Sequence, residues 1–92
     1  MDKLEVLRNA KQIIRSRLKS APDYTIFQSI DAQLNYMQEL LDGKISDRGK
    51  LKEINVGLYA IREFEESDPE LAKELKSVQY IVDRMKKGLK ID

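Results

Sequence analysis

The side chains most often used for catalysis are scarce in this 92-residue sequence. Histidine and cysteine are both absent, which removes zinc sites, imidazole and thiol nucleophiles, and the usual general base near neutral pH. Asp42 and Glu53 have the separation of the first and last ligands of a calcium-binding helix–loop–helix, but Lys44 occupies a ligand position and Asp47 stands where that loop needs glycine. The sequence has no glycine-rich phosphate-binding loop. The composition therefore argues against an enzyme and predicts no bound cofactor or metal.

A run of acidic residues is the most unusual chemical feature of the sequence. It consists of Glu63, Glu65, Glu66, Asp68 and Glu70. Asp68 and Glu70 are explained as the cap and first turn of the helix that follows them. The other three would lie at the end of the preceding helix, where the helix dipole disfavours negative charge. Two interpretations stay open: a solvated turn, and a surface that binds a basic cleft on a partner protein.

Basic residues suggest a different kind of partner. Arg8, Lys11, Arg15 and Lys19 recur every three or four positions and would form a line along the first helix. The net charge of the chain is only +1, so no overall field favours nucleic acid or an anionic membrane. We favour a solvated helix face over a nucleic-acid site, since the line has no interleaved aromatic residues.

Two tyrosines lie beside the apolar positions of the predicted helices. Tyr36 and Tyr59 are each one residue away from an apolar position. Tyrosines in such places usually flank a core with the hydroxyl in water, and tyrosine is also enriched at the energetic centres of interfaces. The first interpretation is slightly favoured, and both residues stay candidates for partner binding.

The elements that must position these side chains are four amphipathic helices. Each is indicated by apolar residues that recur every three or four positions, the spacing of one helical face. These residues are Leu4, Leu7, Ala10, Ile14 and Leu18 in the first helix; Phe27, Ile30, Leu34, Met37 and Leu41 in the second; Leu51, Ile54, Leu58 and Ile61 in the third; and Leu71, Leu75, Val78, Val82 and Met85 in the fourth. The sequence predicts an all-α fold, a compact bundle of four helices, in a single domain over residues 1–92.

Local signals mark where these helices begin and end. Asp68–Pro69 is a strong start signal for the fourth helix, and Ser46 or Asp47 is the expected cap of the third. Gly43 and Gly88 are expected to end the second and fourth helices in the left-handed conformation. Gly57 lies inside the third helix at a cost of about 1 kcal/mol relative to alanine, and a close helix crossing would explain it.

The sequence shows neither a membrane-spanning segment nor an export signal. No apolar run approaches the roughly 18–20 residues that span a bilayer. The first residues, Met1–Glu5, lack a basic stretch followed by an apolar one. We therefore expect a cytoplasmic protein without a membrane partner.

The order of several segments resembles a small family of bacterial immunity proteins. These proteins neutralise type VI secretion effectors that hydrolyse NAD and NADP. The resemblance rests on the stretch from Gly57 to Leu71, GLYAIREFEESDPEL, together with Gln33–Tyr36, Asp47–Arg48 and the closing segment Gly88–Asp92. No single piece is a strict motif, but the ordered set covers nearly the whole chain.

The resemblance implies an all-helical protein that has no catalysis of its own and blocks the active site of a toxin domain in the cytoplasm. It implies that the acidic residues around Glu63–Asp68 contact the toxin, with Tyr36, Tyr59 and Arg62 as secondary contacts. Reversing Glu65 and Glu66 to lysine should then slow association. The alternative is a helical adaptor or a nucleic-acid-associated protein without a toxin partner, and the oligomeric state stays open.

Overall fold

All regular secondary structure within residues 2–88, which the computed structural model describes, is helical. The long helices are α1 (Lys3–Ser20), α2 (Thr25–Leu41) and α4 (Pro69–Lys86). Between α2 and α4 the chain forms a 3-10 turn (Gly49–Glu53), a short helix α3 (Val56–Tyr59) and one turn of π-helix (Ala60–Phe64), called here the π segment. The predicted all-α fold is confirmed. Residues 89–92, which belong to the closing segment of the family resemblance, lie outside the described residues.

The ends of the long helices follow the local signals in the sequence. The Asp2 carboxylate caps α1 and accepts hydrogen bonds from the backbone N–H groups of Leu4, at 3.0 Å, and Glu5, at 3.3 Å. Asp68 caps α4 in the same way, and Pro69 is its first residue, as the sequence predicts. Gly43 and Gly88 adopt positive φ angles of 78° and 71°, which confirms the predicted left-handed ends of α2 and α4.

The core lies around α1, which packs against both α2 and α4, because each of these helices turns an apolar face inward. Its fully buried large side chains are Leu7, Ile14, Ile30, Leu34, Met37, Val56, Leu71, Leu75, Val78 and Val82. An aromatic stack closes one end of the core, with the rings of Phe27 on α2 and Phe64 on the π segment 5.6 Å apart and nearly parallel. The stack fixes the π segment against α2, and both α3 and the π segment also pack against α4.

The continuous third helix predicted from the sequence is wrong. Asp47 does not begin a helix there; its carboxylate accepts a hydrogen bond from the backbone N–H of Gly49 at 2.8 Å, before a 3-10 turn. The chain then becomes extended at Ile54, with φ −71° and ψ 122°, so the helical phase is lost. When α3 begins two residues later, its buried face carries Val56, and Leu58 is turned outward.

Side-chain amides hold this break in place. The Gln33 side chain on α2 donates to the Asn55 side-chain oxygen at 2.8 Å and accepts from the Asn55 backbone N–H at 2.9 Å. The Gln79 side chain on α4 accepts from the Gly57 backbone N–H at 3.0 Å and donates to the Ile54 carbonyl at 3.4 Å. Buried backbone groups that leave the helical pattern need such partners, so these amides satisfy the groups that the break sets free.

Gly57 lies at a close crossing between α3 and α4, as the sequence predicts. A Cβ atom at this position would lie 2.7 Å from Cγ and 2.8 Å from Cβ of Gln79. Both are stem atoms of the same side chain whose amide bonds the Gly57 backbone. The absence of a side chain at Gly57 therefore lets the two helices approach.

Candidate partner-binding surface

The acidic residues lie around the turn between the π segment and α4, but they do not act as one group of free charges. Glu63, Glu65 and Glu66 are exposed, and Asp68 is half-buried. Glu65 forms an ion pair with Lys76 on α4. Within residues 2–88, Glu63 and Glu66 have no ion-pair partner. Glu65 therefore has a local partner, whereas Glu63 and Glu66 are left without one among the described residues.

Arg17 near the end of α1 binds two of the acids at the start of α4. Its Nε donates to Asp68 Oδ2 at 2.7 Å and its Nη2 donates to Asp68 Oδ1 at 3.1 Å, a bidentate pair. The same Nη2 donates to Glu70 Oε1 at 3.0 Å. The hydrogen bonds from Arg17 lower the pKa of Asp68 from its ordinary value, against the opposing effect of burial. Asp68 thus has a structural role, since it caps α4 and ties it to α1.

We expect the Arg17–Asp68 pair to make folding stability depend on pH. A carboxyl whose pKa is lowered by folding stabilises the fold above its ordinary pKa of 3.8, and this contribution is lost as the pH falls through the lower folded value. Asp68→Asn keeps a good helix cap and removes the charge. The substitution should lower the free energy of unfolding by about 1–2 kcal/mol at neutral pH and by much less near pH 2. Urea unfolding at both pH values measures this, and an equal loss at both would contradict an ionic role.

The three secondary candidates for partner binding, Tyr36, Tyr59 and Arg62, lie in different surroundings. Tyr36 on α2 is half-buried, and its hydroxyl donates to the Asp47 carbonyl oxygen at 2.9 Å. Burial is the main cause that raises the pKa of Tyr36 from its ordinary value. Tyr59 is half-buried against the core, and Arg62 is exposed on the π segment. Within residues 2–88 no hydrogen bond or ion pair joins these three residues to the acidic ones. Arg62 shares the π segment with Glu63, and Tyr59 is the last residue of α3.

Three exposed apolar side chains mark a surface that the sequence analysis did not identify. Leu58 is 53% exposed, Ile61 is 58% exposed and Tyr80 on α4 is 48% exposed. Leu58 and Ile61 were predicted to face the core, and the structure contradicts this because the helical phase changes at Ile54. The spacing of Val56, Ala60 and Phe64 is the signal in the sequence that could have indicated the true buried face.

These three side chains line an open groove between α3, the π segment and α4. The groove, called here the apolar groove, has a volume of about 490 Å³. Its other lining residues are Ile54, Asn55, Gly57, Lys76, Gln79 and Asp83. Exposed apolar side chains that are gathered together and bordered by polar ones are typical of protein–protein contact sites.

The basic residues of α1 line a second groove on another part of the surface. Arg8, Lys11, Arg15 and Lys19 border an open space of about 520 Å³ together with Gln12, Ser16 and Gln38. Arg15 lies 3.9 Å from the Asp31 carboxylate, so part of its charge is offset. In the described part of the chain, no three acidic side chains are gathered so that they could hold a metal ion. None of the helices described has the length and apolar character that crossing a membrane requires.

Comparison with known proteins identifies the family. The Tsi6 family model matches residues 2–84. The immune protein Tsi6 of Pseudomonas aeruginosa is 35% identical over 92 residues, which cover 100% of this chain and 98% of that protein. A solved structure of Tse6 in complex with Tsi6 matches with a TM-score of 0.93 at 35% identity, over 100% of this chain and 98% of the matched one. A structure of Tsi6 from Pseudomonas aeruginosa matches with a TM-score of 0.84 at 34% identity, over 89% of this chain and 95% of that one.

These matches confirm the resemblance to immunity proteins that the sequence alone indicates. They extend over the full chain in both sequence and backbone, and they include the segment of α3, the π segment and the start of α4 on which the resemblance mainly rests. The chain therefore belongs to the Tsi6 family.

Proposed function

We propose that this protein is an immunity protein that binds a type VI secretion toxin and blocks its active site. The observation that carries the proposal is the full-length match, at a TM-score of 0.93, to a solved complex of Tse6 with Tsi6. The family resemblance implies that the toxin hydrolyses NAD and NADP. Protection then requires that the protein meet the toxin in the cytoplasm, where the toxin would consume the dinucleotides.

The mechanism that we propose is occlusion by binding, without catalysis by the immunity protein itself. A toxin that binds a dinucleotide must hold its phosphates with cationic or N–H donors, which make the cleft positive. Glu63 and Glu66 are exposed carboxylates without an ion-pair partner in the described chain, so they can face such donors at low desolvation cost. In this arrangement Arg62 on the π segment and Tyr59 at the end of α3 are secondary contacts. Tyr36 is the third secondary candidate for a contact with the toxin.

The direct test is NAD consumption by the toxin domain encoded next to this protein. We expect one equivalent of the protein to stop the reaction, because a protein that fills the active site inhibits stoichiometrically when it binds tightly. The matched control is one equivalent of an unrelated helical protein of similar size and net charge. Unchanged NAD loss by two proteins that co-purify would contradict occlusion, and the absence of both binding and inhibition would favour the adaptor alternative.

A further inference from the structure

We infer that the apolar groove is the place where the toxin docks, and that Leu58, Ile61 and Tyr80 supply most of the binding energy. This inference rests on the proposed function and deepens it by naming the surface. Each of the three side chains leaves about half of its area in water, a cost that the fold itself does not explain. A partner that covers them recovers that free energy, and aromatic and large apolar side chains at the centre of a contact are its usual energetic anchors.

The backbone beneath the groove places these side chains outward. The π segment inserts an additional residue into the helical turn, and such turns are frequent at functional sites. Together with the break at Ile54, it puts Val56 and Phe64 in the core and leaves Leu58 and Ile61 on the surface. The exposure is thus a property of the backbone path and does not arise from alternative side-chain positions.

Hydrogen bonds hold the backbone of the groove in place without any partner. The Gln79 amide forms its floor and bonds the Gly57 N–H at 3.0 Å, the Ile54 carbonyl at 3.4 Å and the Asp83 carboxylate at 3.0 Å. Arg84 lies over the Tyr80 ring, with its guanidinium carbon 5.6 Å from the ring centre. Groups that are already fixed lose little conformational entropy on association, so more of the contact energy remains as affinity.

The charges around the groove indicate what kind of partner fits it. Lys76 is paired with Glu65, and Asp83 is paired with Lys86 at 3.3 Å, so the edges of the groove are largely neutralised. At the end near the turn, Glu63 and Glu66 outnumber Arg62. The surface therefore fits a partner with an apolar projection beside positive charges, which is the chemistry expected at the mouth of a dinucleotide-binding cleft.

A second copy of this chain fits the same surface less well. In a two-fold contact each residue of the patch meets the same patch on the partner copy. The groove runs from the Glu65–Lys76 pair to the Gly57–Gln79 contact and Asp83, so its acidic end would face either itself or the end that carries Asp83. In the first arrangement Glu63 and Glu66 would oppose the same carboxylates, and in the second they would face the neutralised Asp83–Lys86 pair, so neither arrangement offers them positive charge.

The test compares groove variants with a matched variant elsewhere. The double substitution Leu58→Gln and Ile61→Gln removes the apolar contact and keeps side chains that favour helix. Its control is Leu4→Gln on α1, where the leucine is 41% exposed and outside the groove. Affinity for the toxin domain is measured by calorimetry. We expect the double variant to bind at least about 100-fold more weakly than wild type and Leu4→Gln to bind within about twofold of wild type.

Further variants test the docking site independently of the proposed function. Tyr80→Ala changes the other side of the groove and should weaken binding about tenfold or more even if the double variant proves unstable. Wild-type-like binding by folded groove variants, while wild type binds and inhibits, would overturn the docking site alone. If wild type does not bind the toxin at all, both the docking site and the proposed function are wrong. A dimer of the free protein that the groove variants abolish would assign the groove to self-association and overturn toxin docking.

Discussion

Replacing Gly57 by alanine is expected to destabilise the fold by about 2–3 kcal/mol, even though alanine favours helix by about 1 kcal/mol over glycine. The new Cβ would lie 2.7 Å from Cγ and 2.8 Å from Cβ of Gln79, which is closer than two carbon atoms that are not bonded to each other can approach. Relief of the contact with Gln79 Cβ requires that α3 move away from α4, and relief of the contact with Cγ can also come from rotation of the Gln79 side chain. In the second case the bonds to the Gly57 N–H and the Ile54 carbonyl are lost.

Urea unfolding of single and double variants separates these contributions. We expect Gly57→Ala and Gln79→Ala to cost less together than the sum of their separate effects, because the loss of the Gln79 Cγ removes one of the two close contacts and the amide bonds can be lost only once. Leu58→Ala is the matched control, since it changes the neighbouring residue on the exposed side of the same helix and should alter stability by no more than about 0.5 kcal/mol. A Gly57→Ala variant as stable as wild type would show that the crossing has room for a methyl group.

The apolar pattern predicted the long helices well because their buried faces are continuous. In α4 the predicted positions from Leu71 to Met85 are all buried, and the helix has a cap and a proline at its start. Between Gly49 and Phe64 the apolar spacing does not match the structure. Leu51, Ile54, Leu58 and Ile61 have perfect helical spacing, but only the first two are buried. Periodicity assumes one unbroken helical phase, and side chains from α2 and α4 stabilise a break that local sequence does not encode.

The sequence indicates only part of the candidate site, because contacts between distant residues decide which side chains are available there. The acidic run is visible in the sequence, but its charges are decided by residues that lie far away along the chain. Arg17 is 51 residues from Asp68, and Lys76 is 11 residues from Glu65. The acids in these pairs have a structural role, whereas Glu63 and Glu66 have no ion-pair partner among the described residues. The exposed apolar side chains were missed because a helical pattern assigned Leu58 and Ile61 to the core.

Reversal of the two free acids, Glu63→Lys with Glu66→Lys, should slow association with the toxin about 10- to 100-fold at low salt. Complementary charge mainly raises the rate of encounter, so dissociation should change much less. The effect should shrink as salt is added, since exposed charges are screened within roughly 10 Å at 0.1 M. Stopped-flow or surface-binding kinetics at two salt concentrations measure both rates. The fold should be retained, because neither carboxylate has an ion-pair partner in residues 2–88.

The controls distinguish a local contact from the effect of total charge. Glu39→Lys with Asp42→Lys makes the same change in net charge on the exposed end of α2 and should slow association much less. Exchanging the paired charges, Glu65→Lys with Lys76→Glu, preserves both their pairing and the local net charge, so it should leave the association rate nearly unchanged. If the α2 variant slows association as much as the Glu63 and Glu66 variant, the carboxylates act only through overall charge. If neither does, the apolar groove alone determines docking, and the acidic turn is solvated.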